Sequence, residues 1–476
     1  MVLMETNRNG HNSNKKALKS GVWYTVSNFF LRSIGFITTP IFTRLLTKED
    51  FGAFNNFTSW ISIATVFVTL NLESTLISAR YDYKEKFDKY ILSILTLSSF
   101  ACLIWIAVAN FFSSFFVKFL SMNIQHVNVM FLYLMFFPAI QMFQTRERYY
   151  FEYRKTVITS IMLSVGTAVL SVILVIIMNN KLAGRVAGYV LPTAVLGFFL
   201  YIYFIRKGGG VNFLHWKYAI PICLPYIPHL LSLNLLNSMD RVMITRFCGE
   251  ADTALYSLAY NCGYIITILM GSINNAFAPW LGEKIALNQR SEIRKFSKIY
   301  ILAFFLLAFG VMLIAPEILL ILGGKSYLEA VYVITPVAMG CVCQFLYTMF
   351  VNIEQFKKKT VGMAVASMIA ACVNLILNYI FIPRIGYLAA AYTTLVGYVC
   401  LLGIHMYLVK RLGLQDVYSY KFVLIVLIVG ICITIAVSIL YSTLIARYIV
   451  IAFYAALCGM CFYKYKNRLL IFVKKK

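Results

Sequence analysis

Charge is scarce in this 476-residue chain, and acid is scarcer than base. Charged residues make up 13% of it, about half the ~25% of a soluble domain. Only 18 Asp and Glu stand against 43 Lys and Arg, a formal net charge of +25. The first shortage excludes an ordinary soluble globular fold. The second would suit nucleic acid, but the positions of the cations exclude that reading, as shown below. Five scattered His offer no metal-ligand spacing. Eleven Cys have no extracellular domain to cross-link, which argues against a disulfide framework. Cys458 and Cys461 form a CxxC, but inside the last apolar segment, where small apolar packing residues are expected. Gly324-Lys325-Ser326 ends like a phosphate-binding loop, yet the required first glycine would fall at Leu319. No catalytic motif stands out, and neither a metal nor a cofactor is expected. Residues 1–20 are polar and the first apolar segment is too long for a signal-peptide h-region, so no cleaved signal is expected.

What the chain has is apolar length. Hydrophobic residues reach 61%. They fall into fourteen segments, roughly 21–42, 53–79, 90–116, 127–144, 157–178, 186–205, 222–246, 254–282, 299–316, 330–353, 361–382, 386–409, 421–441 and 446–463. About 20 apolar residues span the ~30 Å hydrocarbon core as a helix, and only helices or closed barrels satisfy the backbone there. The fold class is all-α, a polytopic membrane protein of about 14 transmembrane helices. With the N-terminus in the cytoplasm, inner tails and loops hold 32 of the 43 Lys and Arg and outer loops hold 9. The other two, Arg32 and Arg241, lie within the membrane. This sorting follows the positive-inside rule and puts both termini inside. The basic excess then meets anionic phospholipids rather than nucleic acid.

The chain repeats at an offset of 202. Thr43-Arg44, Asp50 and Phe54 correspond to Thr245-Arg246, Asp252 and Tyr256, and Gly184 and Ala187 to Gly386 and Ala389. Arg154-Lys155-Thr156-Val157 resembles Lys358-Lys359-Thr360-Val361 at 204. Six helices per unit give both units one orientation, with a substrate path between them. The expected organisation is a cytoplasmic tail over 1–20, an N-lobe over 21–205, a C-lobe over 206–409, two further helices over 410–463 and a basic cytoplasmic tail over 464–476.

Polar residues inside these segments share helical faces. Asn28, Arg32, Gly35 and Thr39 line one face of the first segment. Asn55, Ser59, Ser62, Thr65, Thr69 and Glu73 form a stripe on the second, and Asn234, Asn237 and Arg241 one on the seventh, with Asp240 adjacent. Ser257, Asn261 and Tyr264 share a face of the eighth. Pro221, Pro225 and Pro228 interrupt the seventh, which allows bending. A central Arg costs ~2.5–3.5 kcal/mol to insert, so a partner or a watery cavity is required. Structural readings compete: Arg32 pairing with Glu73, Arg241 snorkelling to the outer surface, Asp240 neutralising a neighbouring Arg, and Ser and Thr stripes packing helices closely. Because these faces fall on equivalent helices of the repeat, a shared cavity is expected. Two Arg with amides and hydroxyls suit an anionic, hydroxyl-rich solute, since guanidinium matches phosphate oxygens. Inorganic anions and organic cations stay open on this evidence.

The run Thr38-Thr39-Pro40-Ile41-Phe42-Thr43-Arg44-Leu45-Leu46-Thr47-Lys48-Glu49-Asp50-Phe51-Gly52 resembles the first helix-to-loop signature of polysaccharide-biosynthesis flippases. Asn374, Asn378-Tyr379, Ile382-Pro383-Arg384-Ile385-Gly386-Tyr387 and Ala389-Ala390-Ala391-Tyr392-Thr393-Thr394 look like their signature across helices eleven and twelve. Asp240-Arg241 and Tyr256-Ser257 also fit. The chain is thus similar to the Wzx-type branch of the multidrug/oligosaccharidyl-lipid/polysaccharide (MOP) exporter superfamily. That resemblance implies two six-helix lobes around a cavity. It also implies transfer of undecaprenyl-diphosphate-linked oligosaccharide across a bacterial cytoplasmic (inner) membrane for O-antigen, capsule or exopolysaccharide synthesis. It implies a diphosphate role for cavity Arg, matched here by Arg32 and Arg241 in helix and depth. The expected substrate-binding set is Asn28, Arg32, Thr39, Ser59, Ser62, Thr69, Asn234, Asn237, Arg241 and Asn261, with Glu73 and Asp240 as candidates for Na+ or H+ coupling. Polymerase and chain-length proteins of the same pathway are expected partners. The rivals are a small-solute or drug exporter of the same fold, a scaffold without transport, and a membrane polymerase or ligase. The last would need a large catalytic outer loop, whereas the longest outer loops run to about a dozen residues, loops being the usual home of function.

Overall fold

The computed structural model describes residues 34–150 and 152–474. Among these, every regular element is a helix. Nine helices are long and apolar enough to cross a membrane, from Lys84–Phe111 to Tyr420–Leu440, and two bent helix pairs raise the total to eleven. The three other expected segments take different forms. The first is described only as a helix over 34–45, the rest lying outside the described residues. The eighth divides into Glu250–Tyr264 and Ile266–Ala286. The last is apolar over Leu444–Met460. The chain is a multi-pass helical membrane protein.

Two segments drawn as single spans are corrected by the structure. The second is Lys48–Val68 followed by Leu72–Asp82, bent by 49°. Leu70 and Asn71 at the break both have positive φ, 56° and 47°. A Leu in the left-handed region is a strained choice that no Gly or Pro announces. The seventh begins earlier than expected, as Leu214–Cys223, and turns by 52° into Tyr226–Cys248. Here the prolines act as anticipated: Pro225 caps the second helix and Pro228 sits in its first turn, where a missing N–H costs nothing.

By its contacts the chain forms two compact units. One holds residues up to Ser257 together with Ala364–Ala390, the other Leu258–Met363 with Ala391–Lys476. In the first unit, one apolar cluster joins Phe57, Trp60, Ile63, Met130, Leu134, Val190 and Val242. A second joins Leu72, Leu76, Phe87, Tyr90, Ile94, Met142 and Phe204. Lipid is as apolar as these side chains, so close packing rather than water expulsion holds the helices together. Helix Tyr153–Ile177 accordingly presents Ile158, Met162, Val165, Val169, Ile173 and Ile176 outward. It packs on Lys181–Gly208 through Gly184 and Gly188, one turn apart; a Cβ on Gly188 would lie 2.3 Å from the Ser171 Cα.

Charge is buried in this unit too. Arg146 donates to Asp88 at 2.5 and 2.9 Å and also pairs with Glu147, which Lys155 meets at 3.1 Å. Glu147 is fully buried. Three helices are tied together by this cluster.

In the second unit, helix Val331–Phe356 is the central strut, with 83% of its apolar window buried. Helices Ile266–Ala286, Arg290–Leu313 and Tyr420–Leu440 surround it. The final helix is fastened by Arg447, which donates to Glu317 at 2.5 and 2.8 Å and to the Leu313 carbonyl at 3.2 Å. The thirteenth and fourteenth segments therefore brace the ninth and tenth.

Candidate polar face and its buried carboxylates

Helix Lys48–Val68 carries the longest polar stripe, and almost every donor on it is already used. Asn55 donates to the Phe51 carbonyl at 2.7 Å, Ser59 to Asn55 at 2.8 Å, and Ser62 to Thr58 at 3.1 Å. Thr65 donates to Ile61 and Thr69 to Thr65, each at 2.6 Å. Thr39 on the preceding helix does the same to Gly35 at 2.8 Å. Such back-bonding is the usual fate of Ser and Thr within a helix. The hydroxyl oxygens keep lone pairs, so these hydroxyls can accept hydrogen bonds but have no idle O–H. Ser59 and Thr69 are buried, Thr39 is half-buried and Ser62 is exposed.

This helix lies alongside Tyr226–Cys248. Asn234 Nδ2 donates to the Ser62 carbonyl at 2.9 Å, joining two of the expected site residues across the helix pair. Asn237 donates to Leu233 at 2.8 Å and Arg241 Nη1 to the Asn237 carbonyl at 3.1 Å, both within their own helix. Arg241 is half-buried. Asn28 and Arg32 lie outside the described residues. Asn261 is half-buried on Glu250–Tyr264 and belongs to the second unit.

The two acids expected to couple ions occupy different settings. Glu73 sits in the 3-10 turn Leu72–Thr75, just past the bend, among the second apolar cluster. Its Oε2 is buried with no hydrogen-bond partner. Asp240 is 1% exposed. It accepts from Tyr256 Oη at 2.6 Å and Asn378 Nδ2 at 2.7 Å, and Asn378 also donates to Asn374 Oδ1 at 3.2 Å. Asn374 and Asn378 are fully buried. Tyr256 and Asn378 are thus two of the groups that meet this buried carboxylate. Tyr256, Asn374 and Asn378 were absent from the expected site; each belongs to a stretch quoted for the family resemblance, the one signal that pointed to them.

Near its start, Lys48–Val68 also meets the backbone of the next helix, Glu250–Tyr264. An ideal Cβ on Gly52 would lie 1.7 Å from the Glu250 carbonyl oxygen and 3.1 Å from Ala254 N. Residues 52 and 254 are 202 apart, the spacing of the repeat. Beside the crossing lies a cavity of about 120 Å³ with Ser121, Asn123, His126 and Glu250 in its wall. Burial, and then the Asp50 and Glu49 carboxylates, raise the pKa of Glu250 from its ordinary 4.5.

The family profile described as "Polysaccharide biosynthesis protein" matches residues 17–285, more than half of the chain. The chain belongs to this family. A second profile, MatE, matches residues 225–380. Among curated proteins, this polysaccharide biosynthesis family member is 22% identical over 363 residues to "Lsg locus putative protein 1" of Haemophilus influenzae, covering 71% of this chain and 84% of that one. Among solved structures, "Lipid II flippase MurJ, inward closed conformation" is similar with a TM-score of 0.66 at 13% identity, over 94% of this chain and all of that one. An inward-facing multidrug resistance MATE family transporter of the MOP superfamily gives 0.63 at 13% identity, over 82% and 95%. At such identities the likeness shows the fold. The chain is thus a member of the polysaccharide biosynthesis family with the fold of MOP-superfamily transporters.

Proposed function

We infer that this protein flips undecaprenyl-diphosphate-linked oligosaccharide repeat units across the bacterial cytoplasmic membrane by alternating access, for O-antigen, capsule or exopolysaccharide synthesis. The observation that carries the inference is the polar stripe along Lys48–Val68 and Thr69, whose hydroxyl donors are taken by the helix's own backbone. A moving glycan needs a wetted wall that does not trap it, and acceptor-only hydroxyls provide one. Family membership supports the reading, as does a fold shared with a protein named as a lipid II flippase. In this reading both termini are cytoplasmic, Arg32 and Arg241 hold phosphate, and Asn28, Thr39, Ser59, Ser62, Thr69, Asn234, Asn237 and Asn261 face sugar hydroxyls. The lobes are 21–205 and 206–409, and polymerase and chain-length proteins act next on the product. Asp240 or Glu73 couples the cycle to Na+ or H+. One charge crossing 100 mV supplies about 2.3 kcal/mol.

Drug export is the second reading. It is favoured by the buried carboxylate of Asp240, which suits a cation, and by the MATE likeness.

The deciding experiment deletes the gene and assays lipid-linked repeat units by leaflet. Normal delivery to the outer leaflet, with no redundant flippase present, ends the proposal. Within a complementing gene, Arg32→Lys is expected to retain part of the activity that Arg32→Ala loses. Full activity in both removes Arg32 from the phosphate role.

A further inference from the structure

The second unit holds a charged pair that the flippase reading leaves unused. His405 Nδ1 lies 2.7 Å from Glu354 Oε1, and their side chains are 3% and 1% exposed. The other carboxylate oxygen, Oε2, is buried and has no hydrogen-bond partner. Glu354 stands near the end of helix Val331–Phe356 and His405 near the end of Tyr387–Arg411. The His405 ring stacks on Tyr347 at 5.7 Å.

The pair is roofed by the connection that leads into the last two helices. Tyr418 Oη donates to the Met349 carbonyl at 3.2 Å, on the helix of Glu354. Tyr420 Oη donates to the Met406 carbonyl at 2.7 Å, beside His405. Phe350 packs against both tyrosines, with ring centroids 5.3 and 5.6 Å away. From the neighbouring helix, Arg294 donates to the Asp416 carbonyl at 2.5 and 3.1 Å and anchors the same connection. One short segment thus bridges both helices that carry the pair.

We propose that Glu354 and His405 form a proton-binding site whose charge state controls the seal made by residues 412–420. With one proton shared between them the pair is neutral overall, as an imidazolium–carboxylate pair or as two uncharged groups. When that proton leaves, a bare carboxylate stays behind with an unpartnered oxygen in a dry interior, which is costly unless water or a cation reaches it. The surrounding groups set where relief comes from. Tyr347 is on the same helix as Glu354, while Lys357, Lys358 and Lys359 follow that helix. Lys410 and Arg411 close the helix of His405, Asp416, Tyr418 and Tyr420 come from the connection, and Arg294 and Lys298 from the adjacent helix. Among the described residues no cation is hydrogen-bonded to Oε2, and water entering past the tyrosine roof would relieve it. Proton release and loosening of the connection are then one event, and the last two helices are positioned to feel it.

The test is amide hydrogen exchange on the purified full chain, comparing segment 412–420 at about pH 6 and about pH 9, on either side of the histidine range, with labelling times scaled for intrinsic chemistry. Wild-type protein is expected to exchange several-fold faster in this segment at the higher pH. Glu354→Gln, permanently neutral, is expected to keep the segment protected at both. If that variant does not fold, Glu354→Met with His405→Leu fills the site without charge and is expected to be equally insensitive. A wild-type segment indifferent to pH overturns the proposal. So does the wild-type response persisting in either variant. No substrate is needed, so failure here leaves the flippase reading standing, and failure of the leaflet assay leaves this one.

Discussion

Gly52→Ala is expected to weaken the crossing of helices Lys48–Val68 and Glu250–Tyr264. The added Cβ would start 1.7 Å from the Glu250 oxygen, while ordinary contact begins at 3.4 Å. The helices must therefore part by about 1.7 Å, and the obstacle is a backbone carbonyl that cannot rotate aside. Overpacking of this kind costs ~1–3 kcal/mol. If the crossing belongs to one state of a transport cycle, that cost shifts the balance toward the other by about 5–150-fold. The assay is labelling of Ser59→Cys by a membrane-impermeant maleimide in intact cells. Ser59 is buried just beyond the crossing, and the exposed Cys372 and Cys432 are first replaced. Labelling in the Gly52→Ala background should accelerate within that range. Unchanged labelling, with an unchanged melting temperature in detergent, would refute the argument that this contact closes anything.

Other outcomes follow from the same structure. In the folded chain Glu250 binds its proton more tightly than an ordinary carboxylate. Its contribution to the crossing is therefore fully present below the ordinary 4.5 and is lost as pH rises through the raised value. The ratio of Ser59→Cys labelling in the parent to that in Glu250→Gln, taken at each pH so that the thiol's own titration cancels, should then rise with pH. Arg146→Met strips Asp88 and the buried Glu147 of their shared cation, and melts in detergent should show a loss of about 3–5 kcal/mol, the usual cost of breaking a buried pair. Gly188→Val drives a side chain into Ser171 and should destabilise the Tyr153–Ile177 and Lys181–Gly208 pair by at least ~1–3 kcal/mol, read as lower yield and melting temperature. Asp240→Asn keeps the side-chain size and the acceptor for Asn378, removes the charge, and requires the Tyr256 hydroxyl to turn and accept from the new amide. If Asp240 couples an ion, transport should lose its dependence on that ion while the fold persists.

The membrane-spanning architecture was legible because apolar length and loop charge are written locally. The bend at Cys223–Tyr226 was legible for the same reason, through three prolines. The bend at Leu70 and Asn71 was not, because neither residue is a conventional breaker and tertiary packing imposes the left-handed conformation. The segment bounds and the Lys and Arg count placed Arg146 in an inner loop, yet it is buried beside Glu147; sidedness carries no information about depth. The partners of Asp240 were beyond periodicity altogether. Asn378 lies 138 residues away in sequence, and only the folded chain makes it a neighbour. The same holds for Glu354 and His405, 51 residues apart on different helices.

The self-satisfied hydroxyls of Lys48–Val68 carry a consequence for specificity. A protein that reads sugar stereochemistry must offer fixed donors at fixed angles, and the hydroxyls of this stripe have spent theirs on their own helix. Such a surface is indifferent to whether a hydroxyl is axial or equatorial. On the flippase reading, selection among cargoes would then fall to the charged head of the lipid carrier or to the enzymes that assemble it, and exchanging one glycan for another of similar girth should cost little.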